Sequence, residues 1–154
     1  MSTISSQFPF QKYQPRNFAP SLPNRAWPDK KIDKAPLWCA VDMRDGNQAL
    51  KVPMDVRKKL VLFKLLKECG FKEIETGFPA SSETEFKMHR RMIERGLLEE
   101  VTPQVLCQAR PELIAKTFDA MQGCPRWTFH LYNSTSAAQR RDVFNMTKEQ
   151  ITKI

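Results

Sequence analysis

From residue 37 to residue 133 the sequence alternates short apolar runs with longer amphipathic stretches, at a period of roughly 30 residues. Runs of strand length that are separated by helices become parallel neighbours joined by right-handed crossovers. The alternation therefore predicts an α/β fold with a parallel sheet. The four predicted strands are LWCAV (37–41), EIETGF (73–78), the part of VTPQVLCQA (101–109) that begins at Gln104, and RWTFHLYN (126–133).

The stretches between the strands carry helix start and stop signals. Apolar residues recur at helical spacing within them, and glycine follows each one, where a C-terminal glycine is expected. Ser82 and Glu85 have the spacing of a capping box. The three predicted helices run from Pro53 to Gly70, from Ser82 to Gly96 and from Pro111 to Gly123.

Residues 1–36 differ in composition from the rest of the chain. Six of the eleven prolines fall there, interleaved with aromatic residues, so neither a regular helix nor a central strand is expected. We predict an extended N-terminal arm over residues 1–36, whose aromatic side chains lie against the body or a partner subunit. Residues 37–154 form the second predicted unit.

Two architectures accommodate four βα units. One is half of an eight-fold (β/α)8 TIM barrel, which needs roughly 250 residues when complete. The other is an open doubly wound domain, although no GxGxxG or GxxxxGK[ST] phosphate loop is present. Thr147 and Gln150 have capping-box spacing and begin a further helix close to Ile154, which favours a truncated partial TIM barrel.

The charge and the cysteines limit the function classes. The net charge of +8 divides equally between residues 1–36 and 37–154, so there is no dense basic face of the kind that binds nucleic acid. No apolar run approaches the roughly 20 residues that span a bilayer. The four cysteines are widely spaced, which favours reduced thiols and a cytoplasmic location over a disulfide framework or a CxxC zinc site.

Polar residues follow each predicted strand. In a βα barrel the C-terminal ends of the strands and the loops after them build the active site. Four successive strand ends with polar groups therefore predict a site at one rim of the sheet. The residues are Arg44 and Asp45 after the first strand, Glu75 and Thr76 on the second, Gln108 and Arg110 after the third, and His130, Tyr132, Asn133 and Ser134 on the fourth.

Four long motifs carry a family resemblance. They are VDMRDGNQAL, GFKEIETGFPASS, QVLCQARPELIAKTFDAMQG and HLYNSTSAAQRR, in that order. Together they resemble the N-terminal part of the 2-isopropylmalate synthase family, of the long form with an N-terminal arm. That family lies in the DRE-TIM metallolyase superfamily, with homocitrate synthase, citramalate synthase and hydroxymethylglutaryl-CoA lyase. Residues 42–46 match its D-R-[DE]-G element.

The resemblance implies an acyltransferase of leucine biosynthesis, which condenses acetyl-CoA with 2-oxoisovalerate and hydrolyses the thioester. It also implies a divalent cofactor, Mg²⁺ or Mn²⁺, for which aspartate oxygen is a suitable ligand. Asp45 matches the metal ligand, and Arg44 matches the catalytic residue that steadies the keto oxygen as it becomes an alkoxide. The implied substrate-binding positions are Gln48, Glu75, His130, Tyr132 and Asn133.

The chain departs from the family at the metal site. The family completes that site with a His-x-His pair, whereas His89 and His130 are the only histidines here. His89 lies in the second predicted helix, where we expect it to be exposed. We therefore expect a chain that ends at Ile154 to be inactive. A homocitrate or citramalate synthase-type acyltransferase and a non-catalytic half-barrel assembly module stay open as alternatives. The family further implies a homodimer. The dispersed charge and the short apolar runs predict that neither nucleic acid nor a membrane is a partner.

Overall fold

The computed structural model describes residues 9–12, 24 and 33–154. Its sheet has four parallel strands in the order β1-β2-β3-β4, each pairing with the next along the chain. The predicted α/β class with a parallel sheet is confirmed. The strands are β1 (Cys39–Ala40), β2 (Glu73–Gly77), β3 (Thr102–Gln108) and β4 (Thr128–Tyr132).

Three long helices connect these strands. Because the strand order never reverses, right-handed crossovers place the helices on one face of the described sheet, as in part of a βα barrel. A doubly wound sheet reverses its strand order at a switch point, and the described sheet has none. The helices are α1 (Val56–Glu68), α2 (Glu83–Glu94), α3 (Pro111–Met121), α4 (Ala137–Gln139), which continues as π-helical Arg140–Phe144, and α5 (Lys148–Ile151).

Most of the predicted arm lies outside the described residues. Within it the structure describes a short 3-10 turn at Phe10–Lys12, residue 24 and the segment from Asp33 onward. The proposed boundary at residue 36 therefore stays a prediction.

The three predicted helices are confirmed, and one of them starts later than predicted. α1 begins at Val56 rather than at Pro53, because the Asp55 carboxylate accepts a hydrogen bond from the Lys58 N–H (2.8 Å) and caps the helix there. Ser82 caps α2 in the same way, through the Glu85 N–H at 3.2 Å. Thr147 and Gln150 make the full reciprocal capping box of α5.

The third strand starts earlier than predicted, and Pro103 lies inside it. The Thr102 N–H points toward β2 and donates to the Lys72 carbonyl (2.8 Å), so the next position faces β4. Pairing with β4 begins only at Gln104. The N–H that proline lacks therefore has no ladder partner to lose, and Pro103 is tolerated at this point.

The core lies between the sheet and the helices. Side chains from β1, β2, α1 and α2 form one buried cluster, which includes Ile74, Phe63, Met88 and Met92. On β3 burial alternates, with Val105 and Cys107 fully buried and the intervening residues half-exposed. The face of the sheet that points away from the helices carries polar side chains, among them the predicted site residues.

All four cysteines lie in the described ranges and are free thiols, as expected. Among the helices that the structure describes, none has the length and apolarity required to cross a membrane.

Candidate functional site

Glu75 lies at the centre of the predicted site. Its side chain is 1% exposed, and its two carboxylate oxygens bind groups from two different elements. Arg44 Nη2 donates to Oε2 at 2.9 Å, and His130 Nδ1 lies 3.1 Å from Oε1. Arg44 and His130, which are far apart in the sequence, therefore converge on one buried carboxylate, which satisfies the pairing that a buried charge requires.

The register of the sheet explains this convergence. Glu75 is paired with Gln104, and Gln104 with Thr128. His130 comes two residues later on β4 and therefore shares the face of Thr128, because strand side chains alternate. The Gln104 amide lies 3.2 Å from His130 Nδ1, so it borders the same cluster.

Arg44 and Asp45 lie in the π-helical turn Asp42–Gly46 that follows β1. The turn is tied to the strand because the N–H groups of both residues donate to the Val41 carbonyl, at 3.1 Å and 2.9 Å. Arg44 Nη1 contacts the Asp45 carboxylate, while Nη2 is held by Glu75. The guanidinium is thus fixed between two carboxylates, one of them 54% exposed and the other buried.

A cavity of about 450 Å³ opens beside this cluster. Its volume is that of a small-molecule site. Of the predicted residues, Arg44, Gln48 and Tyr132 line it. Asn133 does not: its side-chain oxygen accepts the Ser134 N–H at 3.0 Å, within its own loop. The remaining lining residues are Met43, Asn47, Pro53, Lys59, Gly77, Phe78, Ser81, Ser82, Glu85 and Leu106.

Sequence reasoning missed two charged residues on the cavity wall. Lys59 is 1% exposed and pairs with Glu85, whose side chain is 12% exposed. A signal for Lys59 existed, because it lies four residues before Phe63 and seven before Leu66, on the buried stripe of α1. Glu85 was predicted to reach back to the start of its own helix, but its carboxylate turns to Lys59 instead.

His89 was expected to be exposed, and that expectation is wrong: it is 1% exposed. Its Nδ1–H donates to the Glu85 carbonyl (2.7 Å), because a carbonyl can only accept. Nε2 therefore accepts the Thr76 hydroxyl at 2.9 Å. Burial, opposed by the Glu85 hydrogen bond and aided by the positive charge of Lys59, lowers the His89 pKa to about 4.

The described residues do not by themselves fit the divalent ion that the resemblance implies. Within residues 9–12, 24 and 33–154, no three His, Cys, Asp or Glu side chains are grouped so that they could hold a metal. Asp45 offers one exposed carboxylate, already in contact with Arg44. One monodentate oxygen is far fewer than the six ligands that Mg²⁺ prefers.

Comparison with models of known protein families identifies the family of this chain. A family model described as HMGL-like matches residues 35–154, which include every element of the sheet and every site residue discussed above. The chain belongs to the HMGL-like family. The superfamily inferred from the motifs is thereby confirmed.

Curated relatives of this HMGL-like chain are named 2-isopropylmalate synthase. The Clostridium acetobutylicum protein is 56% identical over 131 residues, which is 84% of this chain and 24% of the relative. The Helicobacter hepaticus protein is 51% identical over 147 residues, 94% and 26% of the two chains. The Corynebacterium glutamicum protein is 51% identical over 153 residues, 97% and 25%. The chain spans about a quarter of the length of the curated relatives it matches.

Proposed function

We propose that this chain is the N-terminal part of the catalytic domain of a 2-isopropylmalate synthase. In the proposed reaction a base removes a proton from the methyl carbon of acetyl-CoA, and that carbon bonds to the carbonyl carbon of 2-oxoisovalerate. The keto oxygen becomes an alkoxide, which takes up a proton. Water then cleaves the thioester and releases the CoA thiol. Support comes from the relatives' names and from the cavity beside Arg44.

The observation that carries the proposal is the fixed guanidinium of Arg44. Its side chain is 20% exposed at the cavity wall, and Asp45 and Glu75 hold it from two sides. A cation that is already oriented stabilises a developing alkoxide without reorganising during the reaction. We assign Arg44 this role, with Glu75 holding the guanidinium in place.

The substrate-binding roles are assigned from where the residues lie relative to the cavity. Gln48 and Tyr132 line the cavity and can donate hydrogen bonds to the carboxylate of the oxo acid. His130 is assigned through its contact with Glu75, which also holds Arg44; 41% of the His130 side chain is exposed. Asn133 is also assigned a substrate-binding role, from its position directly after Tyr132. The acyl-CoA, an anion, would also be attracted by the positive charge of the chain.

A Mg²⁺ or Mn²⁺ cofactor is part of the proposal, with Asp45 as one of its ligands. Its further ligands would have to come from outside the described residues. The homodimer, the cytoplasmic location and the division into an arm (1–36) and a barrel segment (37–154) are likewise proposals. Neither nucleic acid nor membrane is proposed as a partner.

The test uses the natural polypeptide that carries this sequence. Incubation with acetyl-CoA and 2-oxoisovalerate should release free thiol. Arg44→Ala should lower kcat by about 100-fold or more, the loss typical of removing one oxyanion-stabilising donor. Arg57→Ala is the matched control, because Arg57 is exposed on α1. An unchanged kcat in Arg44→Ala would show that Arg44 does not stabilise the alkoxide.

A panel of oxo acids separates the alternatives. Preference for 2-oxoglutarate or pyruvate over 2-oxoisovalerate would indicate a homocitrate or citramalate synthase-type enzyme. If none of the three oxo acids supports thiol release, the result would favour the non-catalytic assembly module.

A further inference from the structure

Lys59 is a buried cation on the helix side of the Asp42–Gly46 turn. Its ammonium contacts Glu85 Oε1 and lies 3.4 Å from the Met43 carbonyl oxygen. That carbonyl belongs to the residue directly before Arg44, and the Met43 side chain is itself completely buried. Lys59 therefore joins α1, α2 and the turn that carries the proposed catalytic cation.

This arrangement is energetically costly. Withdrawing an ammonium and a carboxylate from water is unfavourable for each ion, and close pairing often fails to recover the full desolvation penalty. Moreover, Glu85 Oε2 is buried and has no hydrogen-bond partner among the described groups. An apolar residue at position 59 would continue the stripe of Phe63 and Leu66 without that cost. Stability alone therefore does not account for the pair.

We propose that Lys59 and Glu85 are positioning residues for Arg44. Because the peptide unit is planar, holding the Met43 carbonyl also holds the Arg44 nitrogen. The backbone from which the Arg44 side chain reaches Asp45 and Glu75 is thereby fixed. Glu85 in turn fixes the ammonium of Lys59 from the start of α2, where Ser82 holds the Glu85 N–H. The inference rests on the proposed function, since its effect is measured on that reaction.

Gly77 gives the Glu85 carboxylate the space it occupies. A Cβ at position 77 would lie 2.2 Å from Glu85 Oε2, a distance that forces one of the two groups to move. Because Gly77 has no side chain, the end of β2 has room for the Glu85 carboxylate. Glycine at this point is part of the same positioning arrangement.

The test compares Lys59→Met with Lys58→Met in the natural polypeptide. Methionine keeps the straight chain of lysine but removes the charge, and Lys58 is its exposed neighbour. Lys59→Met should lower kcat by about tenfold or more, because small displacements of catalytic groups are costly, while the KM for the oxo acid stays within about threefold. Lys58→Met should leave both unchanged.

A double-mutant cycle distinguishes positioning from general stability. If Lys59 acts through Arg44, Lys59→Met should cost less than about threefold in an Arg44→Ala background. The same loss of kcat in both backgrounds would overturn the proposal. Because Lys59→Met leaves the Glu85 charge unpaired, Lys59→Met with Glu85→Gln is the second variant. It should fold and still have a low kcat.

Hydrogen exchange provides a measurement that does not depend on turnover. In the variant Lys59→Met with Glu85→Gln, amides of residues 42–50 should exchange about tenfold faster than in the natural sequence, while amides of β3 are unchanged. Equal exchange in residues 42–50 would overturn the anchoring role. If the natural polypeptide releases no thiol with any oxo acid, the proposed function fails, whereas the exchange result still decides whether Lys59 anchors the turn.

Discussion

Arg44 Nη2 donates to Glu75 Oε2 at 2.9 Å, across a gap of 31 positions in the sequence. The bond ties the turn after β1 to the buried face of β2, and the other oxygen of the same carboxylate meets His130 of β4. The Glu75 side chain thus joins β2 to β4 and to the turn after β1. The predicted site depends on this carboxylate for its shape.

Glu75→Gln should weaken both stability and the proposed reaction. The amide keeps the size of the side chain but loses the charge that pairs with Arg44, so the free energy of unfolding should fall by about 1 to 3 kcal/mol. We also expect kcat for thiol release to fall by about tenfold or more, because the guanidinium loses its orientation. Denaturant titration and steady-state kinetics measure the two effects.

Glu73→Gln is the control for this prediction. Glu73 lies on the same strand, but it is half-exposed. Similar losses in the two variants would show that the effect is general to β2 and that Glu75 has no special place in the site.

Gly77→Ala should destabilise the protein, whereas Gly46→Ala should not. An added Cβ at position 77 would overlap Glu85 Oε2, and overpacking of this kind costs about 1 to 3 kcal/mol. At position 46 the nearest atom is Asp42 Cβ at 3.7 Å, which is ordinary van der Waals contact. Thermal unfolding of the two variants makes the comparison, and equal melting temperatures would contradict it.

His89 should make the protein less stable in mild acid. Its pKa is about 4 when folded, against 6.5 as the ordinary value, so between these pH values the unfolded chain binds a proton that the folded chain does not. The contribution of unprotonated His89 to the free energy of unfolding is fully present above pH 6.5 and is lost as the pH falls toward 4. From pH 7.5 to pH 5 the loss should be about 2 kcal/mol, measured by urea titration at each pH.

His89→Gln tests the assignment of that pH dependence. Glutamine has no titrating group. The difference in the free energy of unfolding between pH 7.5 and pH 5 should therefore shrink by most of the loss of about 2 kcal/mol expected from His89. A variant with the same pH dependence as the natural sequence would show that another group is responsible.

Metal removal should abolish the proposed reaction of the natural polypeptide. Treatment with a chelator should stop thiol release, and Mg²⁺ or Mn²⁺ should restore it. Asp45→Asn weakens an oxygen ligand, so it should raise the metal concentration needed for half-maximal rate by about tenfold. Full activity after exhaustive chelation would refute the metal prediction for this chain.

Several features followed from the sequence alone, because they depend on neighbouring residues. The period of strands and helices predicted four parallel strands, and the caps at Ser82 and Thr147 lie where their spacing indicated. Polar residues after the strands predicted a site at one rim. The motifs also indicated the family that the comparison confirmed.

The tertiary structure decided which side chains meet. Lys59 and His89 are polar residues on helices, and the packing of α1 and α2 against the sheet buries both of them. The Glu75 contacts depend on the register of β2, β3 and β4 and on the turn after β1, which local sequence does not set. Local patterns determine the type and order of the elements and the residues that can cap them, whereas burial and long-range pairing are properties of the assembled fold.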